Sequence, residues 1–397
     1  MPVPDATDHQ APSSQAAAGA DAELFIGLMS GTSADGVDAV LLRASDPPRT
    51  LAIASLPFSS SLRQAIEALQ QPGPDELHRA AEVSNALADA YGEAVAALLT
   101  QSGCSRTDIR ALGAHGQTVR HRPESGYTLQ LLNAARLAEQ TGLPVVYDLR
   151  QADVAAGGQG APLVPAFHAS VFASTQARRA IVNIGGIANV SLLPRRSFSE
   201  PMTARGYDTG PGNTLLDAWH YQHRGGYFDE QGCWAASGHV DAGLLAAMLD
   251  DPYFSEPAPK STGRDRFHTQ WLAGKVAQCP SPLRPEDVQA TLAELTALTI
   301  AEACAGLADE VYVCGGGAFN LDLLDRLQRH LAGTPVRSTD ALGIAPLSVE
   351  GAAFAWLAWR RIHGQPGNLP AVTGARGERV LGAVALPAIG ASVRASA

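Results

Sequence analysis

The sequence is poor in cysteine and in positive charge, and each shortage argues against a class of protein. The 397 residues include five cysteines, an odd number, and no two of them have C-x-x-C spacing. A disulfide framework or a zinc site is therefore not expected, and a reducing compartment is indicated. The formal net charge is −10, which argues against a broad surface for nucleic acid or an anionic membrane.

Long hydrophobic runs and leader-type segments are also absent. No window reaches the roughly 20 apolar residues that a membrane-spanning helix needs. Residues 1–22 lack Lys, Arg and an apolar core and are rich in Ala, Pro, Ser and Asp, which predicts a disordered tail and not a signal peptide. We therefore expect a cytoplasmic protein whose partners include neither a membrane nor nucleic acid.

Three common nucleotide-binding and hydrolase motifs are missing. There is no G-x-x-x-x-G-K-[ST], and no G-x-G-x-x-G follows a predicted strand. A P-loop fold and a dinucleotide-binding Rossmann domain are therefore disfavoured. The G-x-S-x-G motif is also missing, and with it the nucleophile elbow of α/β-hydrolases.

The composition is that of an ordinary globular chain, with 46% apolar and 17% charged residues. Its length allows two domains or one large one. Helical periodicity predicts two helices over residues 60–101, with a break near Pro72–Pro74. Further helices are predicted over residues 134–141, 285–307 and 349–362.

The stretch from Phe25 to Leu42 has an apolar run at each end and small or hydroxyl-bearing residues between them. This pattern predicts a strand, a tight turn and a second strand. Glycines let a ligand approach the backbone, and successive N–H groups can form a concavity that binds anions. An aspartate in such a turn could orient a hydrated Mg²⁺. The residues alone leave a phosphate loop and a plain Gly/Ser-rich hairpin equally open.

The stretch from Ala180 to Leu193 has the same strand–turn–strand pattern, with Gly185-Gly186 between two apolar runs. Two such units suggest two related lobes, each of which offers a hairpin to a shared cleft. A third glycine-rich turn, Gly315–Gly317, follows an apolar strand and precedes a helix with its cap near Asn320. Nucleotide binding would explain the triple glycine, and so would a tight strand-to-helix turn.

Polar residues follow two other predicted strands, where open α/β sheets bind their ligands. His115 and Gln117 come after the strand that starts at Ile109, and Asp148 and Arg150 end the apolar run from Pro144. Spacing alone leaves open the alternative that His115 is a structural histidine with its hydrogen bonds satisfied.

Two acids stand near predicted helix starts. Asp208 is predicted to lie in the glycine-rich segment 206–213, in a turn just before a helix, where a carboxylate would be either a functional group or a helix cap. Glu350 begins an otherwise apolar helix, where it would be either functional or a first-turn acid that complements the helix dipole. The segment Lys260–Arg264 reads alone as a solvated loop.

Seven stretches, taken together and in order, resemble one family, the anhydro-N-acetylmuramic acid kinases. They are residues 27–38, 114–118, 153–165, 183–189, 207–213, 260–264 and 314–320. The resemblance implies an α/β fold of the two-lobed actin/hexokinase-like (ribonuclease H-like) ATPase class, with a cleft between the lobes. It also implies ATP-dependent conversion of 1,6-anhydro-N-acetylmuramic acid into N-acetylmuramic acid 6-phosphate, in the recycling of cell-wall peptidoglycan.

The resemblance carries site roles onto residues of this chain. Asp208 matches the catalytic base, and Asp35 would hold Mg²⁺ through water. The sugar contacts would be His115, Gln117, Asp148, Arg150 and Glu350. The ATP contacts would be Ser30, Gly31, Thr32, Ser33, Ala34, Asp35, Gly36, Val37, Asn183, Gly185, Gly186, Gly315, Gly316, Gly317 and Asn320. Asn183 departs from the wider superfamily, which usually has an acid before the second phosphate turn.

The expected organisation is a tail over residues 1–22, a first lobe over 23–150 and a second lobe over 151–379. The first lobe would be joined by the C-terminal segment 380–397. Two other functions remain open: a kinase of the same fold that acts on a free hydroxyl of another sugar, and an actin-like or chaperone-like nucleotide switch. The sequence leaves the oligomeric state open, a homodimer included.

Overall fold

Two β-sheets that share a five-strand order organise the chain in the computed structural model. The structure describes residues 23–31, 34–45, 47–197, 204–258, 260–263 and 266–388. The predicted tail over residues 1–22 lies outside the described residues, as do Thr32 and Ser33 of the predicted phosphate loop, Arg264 and the end of the C-terminal segment from residue 389.

The strands of the described residues are short and occur along the whole chain. In order they are β1 (Leu24–Met29), β2 (Gly36–Arg43), β3 (Arg49–Pro57), β4 (Ile109–Ala114), β5 (Gln117–Arg122), β6 (Tyr127–Leu131), β7 (Val145–Tyr147), β8 (Arg179–Ile184), β9 (Ile187–Leu193), β10 (Arg205–Pro211), β11 (Glu310–Cys314), β12 (Val336–Ser338) and β13 (Ala383–Ala385).

The helices of the described residues include the predicted ones. They are α1 (Ser60–Ala68), α2 (Glu76–Ser102), α3 (Ala134–Thr141), α4 (Gln151–Ala155), α5 (Val164–Val171), α6 (Asn213–Arg224), α7 (Cys233–Ser237), α8 (Ala242–Leu249), α9 (Pro252–Ser255), α10 (Thr269–Val276), α11 (Pro285–Cys304), α12 (Leu321–His330), α13 (Val349–Ile362) and α14 (Pro370–Thr373). The break between α1 and α2 falls at the predicted prolines. Asn320 caps α12, because its Oδ1 accepts the Leu323 N–H at 3.0 Å.

Five strands of the first sheet, taken as β3-β2-β1-β4-β7, correspond in order to the five strands of the second, and β13 is an additional edge strand of the first. The first sheet has the order β13-β7-β4-β1-β2-β3, and the second has β10-β9-β8-β11-β12. In each, the first strand pairs antiparallel with the second and parallel with a later strand on its other side. This duplication confirms the prediction of two related lobes, and the mixed α/β fold class is confirmed with it. Strands β5 and β6 form a separate two-stranded sheet.

Helix α13 lies directly against the first sheet, although it comes late in the chain. A Cβ on Gly27 of β1 would collide with the carbonyl of Gly351, and one on Gly113 of β4 would collide with the carbonyl of Phe354. Glycine at both strand positions is therefore what lets the helix backbone approach. This contact forms part of a core that also includes Phe25 and residues of the second sheet.

The opposite face of the first sheet is covered by α1, α2 and α3 through a second buried cluster. In the second lobe, α11 and α12 cover β8, β9 and β11, while α6, α8 and α10 pack on α11 in a cluster of their own. The two lobes thus have separate cores and share the layer that contains α13.

The C-terminal strand β13 pairs antiparallel with β7, in the register Ala385↔Val145. The described part of the C-terminal segment therefore lies in the first sheet. The division of the chain at residue 150 stays a prediction. No helix of the described residues has the length and apolar character needed to cross a membrane.

Candidate active site

The turn between β1 and β2 is held by side chains from the neighbouring strands. Ser30 is fully buried, and its Oγ lies 2.7 Å from the hydroxyl of Tyr91. His115 Nδ1 donates to the Ser30 carbonyl at 3.1 Å, and Gln117 Nε2 donates to the Gly31 carbonyl at 3.1 Å. Two predicted sugar contacts thus bind the backbone of the first hairpin, which we define as β1, β2 and their turn.

His115 connects this turn to Arg150. Its Nε2 accepts from Nη2 of Arg150 at 2.9 Å, so one neutral tautomer satisfies both ring nitrogens. Burial and the charge of Arg150 lower the pKa of His115 to about 3. Arg150 also donates to the Gly160 carbonyl at 2.8 Å, and burial lowers its pKa to about 10. The arginine keeps its charge, and the histidine does not gain one near neutral pH.

Glu350, at the start of α13, lies where the two lobes meet. Its Oε1 accepts from Nδ2 of Asn183, at the end of β8, at 3.5 Å. Burial raises the pKa of Glu350, the charge of Arg150 opposes that effect, and the charge of Asp38 adds to it. The alternative of a plain first-turn acid is therefore too simple, because this carboxylate interacts with groups from both hairpins.

Asp38 is a carboxylate close to the candidate site that the sequence interpretation did not single out. It lies on β2, and its Oδ1 accepts from the Ser55 hydroxyl at 2.5 Å. Its charge reaches Glu350. The signal in the sequence was a single carboxylate within the apolar run Val37–Leu42.

The second hairpin, which we define as β8, β9 and the turn Gly185-Gly186, is held by backbone. The Gly185 carbonyl accepts from the Asn213 N–H at 2.8 Å. The Gly186 carbonyl accepts from the N–H groups of Gly212 and Thr214 at 2.9 and 3.1 Å. One side chain helps, since Asn213 Nδ2 donates to the Ile184 carbonyl at 3.1 Å. The start of α6 therefore fixes this turn.

The triple glycine lies against the second hairpin. Gly315 has a φ of 78°, and a Cβ there would collide with Asn183 Oδ1 and lie 2.8 Å from the Ile184 carbonyl. A Cβ on Gly317 would collide with the Ile184 side chain. Tight packing alone thus requires two of the three glycines. Gly316 has no such clash, because its nearest neighbour is Asn213 Nδ2 at 3.4 Å.

Asp208 lies on strand β10, opposite Asn189 of β9. The expectation that it lies in a turn before a helix is wrong, and so is the capping alternative, because α6 begins at Asn213 with Gly212 as its N-cap. The register of β10 shifts between Asp208 and Gly210, which marks a bulge. Bulges often re-aim a side chain next to an active site.

The carboxylate of Asp208 is bound by Ser261 and Thr262, which belong to the segment that the sequence alone predicts to be a solvated loop. Its Oδ2 accepts from the Thr262 N–H at 3.0 Å and from the Ser261 hydroxyl at 3.1 Å. Burial raises the pKa of Asp208, and these two hydrogen bonds partly oppose the shift. Desolvated carboxylates with raised pKa values are typical of catalytic bases.

Asp148 and Arg150, which follow β7, differ in their exposure and contacts. Asp148 has a φ of 53° and an exposed side chain, although partial burial of its carboxyl raises its pKa. Nearby Asp153 is fully buried and accepts hydrogen bonds from Gly160, Asn368 and Thr373 at 2.6 to 2.8 Å. It fixes the glycine-rich loop whose carbonyl binds Arg150.

The site residues thus fall into three groups. His115, Gln117 and Arg150 contact or support the first hairpin, while Asn183 and Glu350 join the second hairpin to the first lobe. Asp208 stands on the edge strand of the second sheet with its own loop. The role of each as an ATP or sugar contact stays a prediction.

Two sheets with matching strand order, each with a glycine-rich hairpin, define a two-lobed fold of the actin/hexokinase-like class. The chain belongs to the anhydro-N-acetylmuramic acid kinase family, whose model matches residues 23–387. The family resemblance of the seven stretches is confirmed.

Two relatives named anhydro-N-acetylmuramic acid kinase illustrate the match. The protein of Burkholderia thailandensis is 53% identical over 373 residues, which cover 91% of this chain and 97% of the relative. That of Chromobacterium violaceum is 52% identical over 368 residues, which cover 91% of this chain and 99% of the relative.

Solved structures are more distant. Component A of the (R)-2-hydroxyglutaryl-CoA dehydratase of Acidaminococcus fermentans has a TM-score of 0.47 at 12% identity and covers 86% of this chain and 99% of its own. A ROK family glucokinase from Streptomyces griseus, in complex with glucose and AMPPNP, has a TM-score of 0.39 at 13% identity, with 84% and 98% covered. Likenesses at this level carry no argument about ligands.

Proposed function

We propose that this chain is an ATP-dependent kinase that opens 1,6-anhydro-N-acetylmuramic acid with water and phosphorylates it at O6. The product is N-acetylmuramic acid 6-phosphate, formed in the recycling of cell-wall peptidoglycan. Membership of the kinase family supports the reaction. One observation in the structure supports the mechanism: a desolvated carboxylate, Asp208, with one oxygen held by two donors.

The substrate itself sets the order of events. The anhydro bridge leaves no free 6-hydroxyl, so the bond between O6 and the anomeric carbon must break during the reaction. Asp208 takes a proton from water as the water oxygen attacks the anomeric carbon. The bond to O6 breaks, and O6 attacks the γ-phosphorus of ATP while the bond to ADP breaks. The raised pKa of Asp208 makes it a stronger base for the first transfer.

The two hairpins would hold the phosphates of ATP. Their N–H groups lie in glycine-rich turns, where successive backbone dipoles stabilise anions. Donors fixed in advance lower the cost of stabilising charge on the transferred phosphoryl group. The Ser30 and Gly31 carbonyls at the start of the first turn and the Gly185 and Gly186 carbonyls of the second are already bound to protein donors, which supports positions that are set before the nucleotide arrives.

The side chains present fit a magnesium ion that keeps most of its ligands from water and phosphate. The described residues contain no group of three metal-ligating side chains that could hold an ion alone. Asp35 offers a carboxylate that is 71% exposed, with Arg63 3.9 Å away. Asp35 would hold Mg²⁺ through water, which is the coordination that this ion favours. Bound there, Mg²⁺ neutralises charge on the phosphates.

Substrate selection would fall to the groups at the meeting of the lobes. Arg150 is charged and buried, and the carboxylates of Glu350 and Asp148 are partly desolvated. Charged and hydrogen-bonding groups of this kind suit the polar faces of an amino sugar. The free cysteines support a reducing compartment, and we place the activity in the cytoplasm.

The test is the variant Asp208→Asn, assayed with the anhydro sugar and ATP. The amide keeps the shape and the contact with Thr262 but cannot accept a proton. We expect kcat to fall by about 10²–10⁴-fold, the usual contribution of a general base, while nucleotide affinity stays within a factor of about two. Near-normal turnover in this variant would overturn the assignment of Asp208.

Isotopically labelled water separates this reaction from simple ATP hydrolysis. Label should enter the hydroxyl at the anomeric carbon, and mass spectrometry of the product should find it there. Label in the phosphate would mean that water attacks ATP directly. Phosphorylation of free hexoses, with the anhydro sugar untouched, would favour the alternative sugar kinase.

A further inference from the structure

Residues of one short segment, Tyr253, Lys260, Ser261 and Thr262, bind the backbone N–H, the backbone carbonyl and one carboxylate oxygen of Asp208. The backbone N–H of Asp208 donates to the Lys260 carbonyl at 3.0 Å. Its backbone carbonyl accepts from the Tyr253 hydroxyl at 2.6 Å. Its carboxylate is bound through Oδ2 by Ser261 and Thr262. The position of this aspartate is therefore set by residues about 50 positions later in the chain.

The side chain of Lys260 connects the two ends of this segment. Its ammonium donates to the carbonyl groups of Tyr253 and Phe254 at 2.8 and 3.1 Å. The same ammonium lies 4.5 Å from the centre of the Tyr253 ring, within cation–π range. Lys260 thus contacts Asp208 through its own backbone carbonyl, and its ammonium holds the other end of the segment at Tyr253 and Phe254.

The other side of the segment is anchored in the core. The Tyr253 ring is fully buried, with the Phe267 ring edge-on at 5.5 Å. The Tyr253 N–H donates to Asp251, which also binds Arg266 and Trp271 at 2.7 and 2.9 Å. Tyr253 therefore cannot shift without disturbing a packed cluster, and its hydroxyl is a fixed donor.

The two oxygens of the Asp208 carboxylate differ in their hydrogen bonding. Oδ2 accepts two hydrogen bonds, whereas Oδ1 has no hydrogen-bond partner in the described part of the chain. A carboxylate bound in this way keeps the lone pairs of one oxygen for a proton. The two oxygens are therefore not equivalent as proton acceptors.

We propose that Lys260 and Tyr253 are positioning residues for Asp208. They fix the loop 260–262 against strand β10, so that Oδ2 is bound and Oδ1 is presented as the basic oxygen. The inference rests on the proposed function of Asp208 as the base. A misplacement of about 1 Å in a reacting group can reduce the rate by about 10²-fold, which makes such an anchor measurable.

The chain offers a matched control for Lys260. Lys275 on α10 also donates to a backbone carbonyl, that of Ala247 at 2.6 Å, and lies 5.7 Å from the centre of the Trp271 ring. It has the same kinds of contact but does not bind the Asp208 segment. Any loss in Lys275→Met therefore measures the stability of this region and not the position of the base.

The experiment measures kcat, both KM values and the unfolding midpoint of Lys260→Met, Lys260→Arg, Tyr253→Phe and Lys275→Met. We expect kcat to fall about 10- to 100-fold in Lys260→Met and about fivefold in Tyr253→Phe, with KM for ATP within about twofold. Lys260→Arg, which keeps charge and donors, should recover most of the rate. Lys275→Met should keep the wild-type kcat.

The outcomes separate the two proposals. A wild-type protein that forms no N-acetylmuramic acid 6-phosphate overturns the proposed function. An active wild type with normal kcat in both Lys260→Met and Tyr253→Phe overturns the positioning role alone. Equal losses of kcat in Lys260→Met and Lys275→Met would also overturn it. If Lys260→Met does not fold, Tyr253→Phe decides, because it keeps the buried ring and loses only the hydroxyl.

Discussion

The two hairpins occupy equivalent places in their sheets but are supported by different parts of the chain. In the first turn, the Ser30 carbonyl accepts from the His115 side chain, and the Gly31 carbonyl accepts from the Gln117 side chain and from the Ala34 N–H. The carbonyl groups of the second turn accept mainly from backbone N–H groups at the start of α6. The same topology thus gives one turn that side-chain substitutions can change and one that backbone geometry fixes.

This difference has a functional consequence. The histidine that supports the first turn also binds Arg150, whose charge interacts with Glu350. The first hairpin is therefore connected to the groups that we expect to contact the sugar. The second hairpin packs against the triple glycine, which we expect to contact adenosine. We therefore expect substitutions around the first hairpin to affect the sugar contacts as well as the phosphates, and those around the second hairpin to affect mainly the nucleotide.

The largest effect should come from a methyl group placed against the second hairpin. In Gly315→Ala the new Cβ meets Asn183 and the Ile184 carbonyl, and alanine must adopt a φ of 78°. We expect a loss of about 3 kcal/mol in the free energy of unfolding, from backbone strain and overpacking together. Nucleotide affinity should fall as well. Urea unfolding and titration with an ATP analogue measure the two effects.

The control for that substitution is Gly333→Ala. Gly333 has a φ of 88°, but a methyl group added there would have no other atoms within 4 Å. Backbone strain alone should lower the free energy of unfolding of this variant, by about 1–2 kcal/mol. Its nucleotide affinity should stay unchanged. Equal losses in the two variants would mean that the second hairpin tolerates the collision and is less rigid than its hydrogen bonds indicate.

A smaller effect, on the first hairpin, should follow from His115→Ala. The change removes the donor to Ser30 and leaves two N–H groups of the buried Arg150 without their acceptor. An unsatisfied buried group of this kind costs about 2–3 kcal/mol. We also expect kcat to fall about tenfold, because the turn loses its anchor. Unfolding and steady-state kinetics of the same preparation test both.

Asn213→Ala is the matching change in the second hairpin. It removes one side-chain hydrogen bond, to Ile184, while the three backbone hydrogen bonds remain. The expected cost is about 1 kcal/mol, with little change in kcat. A greater loss of activity in Asn213→Ala than in His115→Ala would reverse the comparison between the hairpins.

The smallest effect concerns pH, since each hairpin has a buried histidine behind it. His168 on α5 binds the Ser191 hydroxyl of β9 at 2.9 Å, and burial lowers its pKa to about 3, like that of His115. The unfolded chain takes up protons near pH 6.5, and the folded chain does not. Stability contributed by each histidine is therefore complete above pH 6.5 and is lost as the pH falls toward 3.

The measurable slope is about 1.4 kcal/mol per pH unit for each histidine below pH 6.5. Urea unfolding at pH 6.5 and pH 5.5 of the wild type and of His168→Gln measures it. Between these two pH values, the free energy of unfolding should fall by about 1 kcal/mol less in the variant than in the wild type. Identical pH dependence in the two proteins would contradict the low pKa of His168.

Much of the fold could be predicted because its signals are local. Glycine pairs between apolar runs indicated both hairpins, and the prolines near residue 73 separated α1 from α2. The cap at Asn320 was also predicted correctly, since a polar residue before an amphipathic run is a local pattern.

The rest depended on contacts between distant parts of the chain. Ser261 binds a carboxylate 53 positions away, and Asn183 contacts Glu350 across 167 positions. The segment around Ser261 has no periodicity and has the composition of a solvated loop. Its contact with Asp208 exists only because β10 and α9 fold together. Asp38 was missed for a similar reason, since its neighbour Glu350 comes from the far end of the chain.

The place of α13 and β13 has a consequence for how the chain is made. Residues of the first sheet, among them Phe25, Val40, Ala111 and Val146, are buried against helix residues 349–362. The edge of that sheet is completed by residues 383–385. During synthesis from the N-terminus, the first sheet must wait with an apolar face uncovered until almost the whole chain has left the ribosome. The strands of the second sheet, residues 179–338, lie within one continuous stretch, so they can pair with one another before α13 is made, although residues such as Ile181 and Tyr312 also pack in the layer that contains α13.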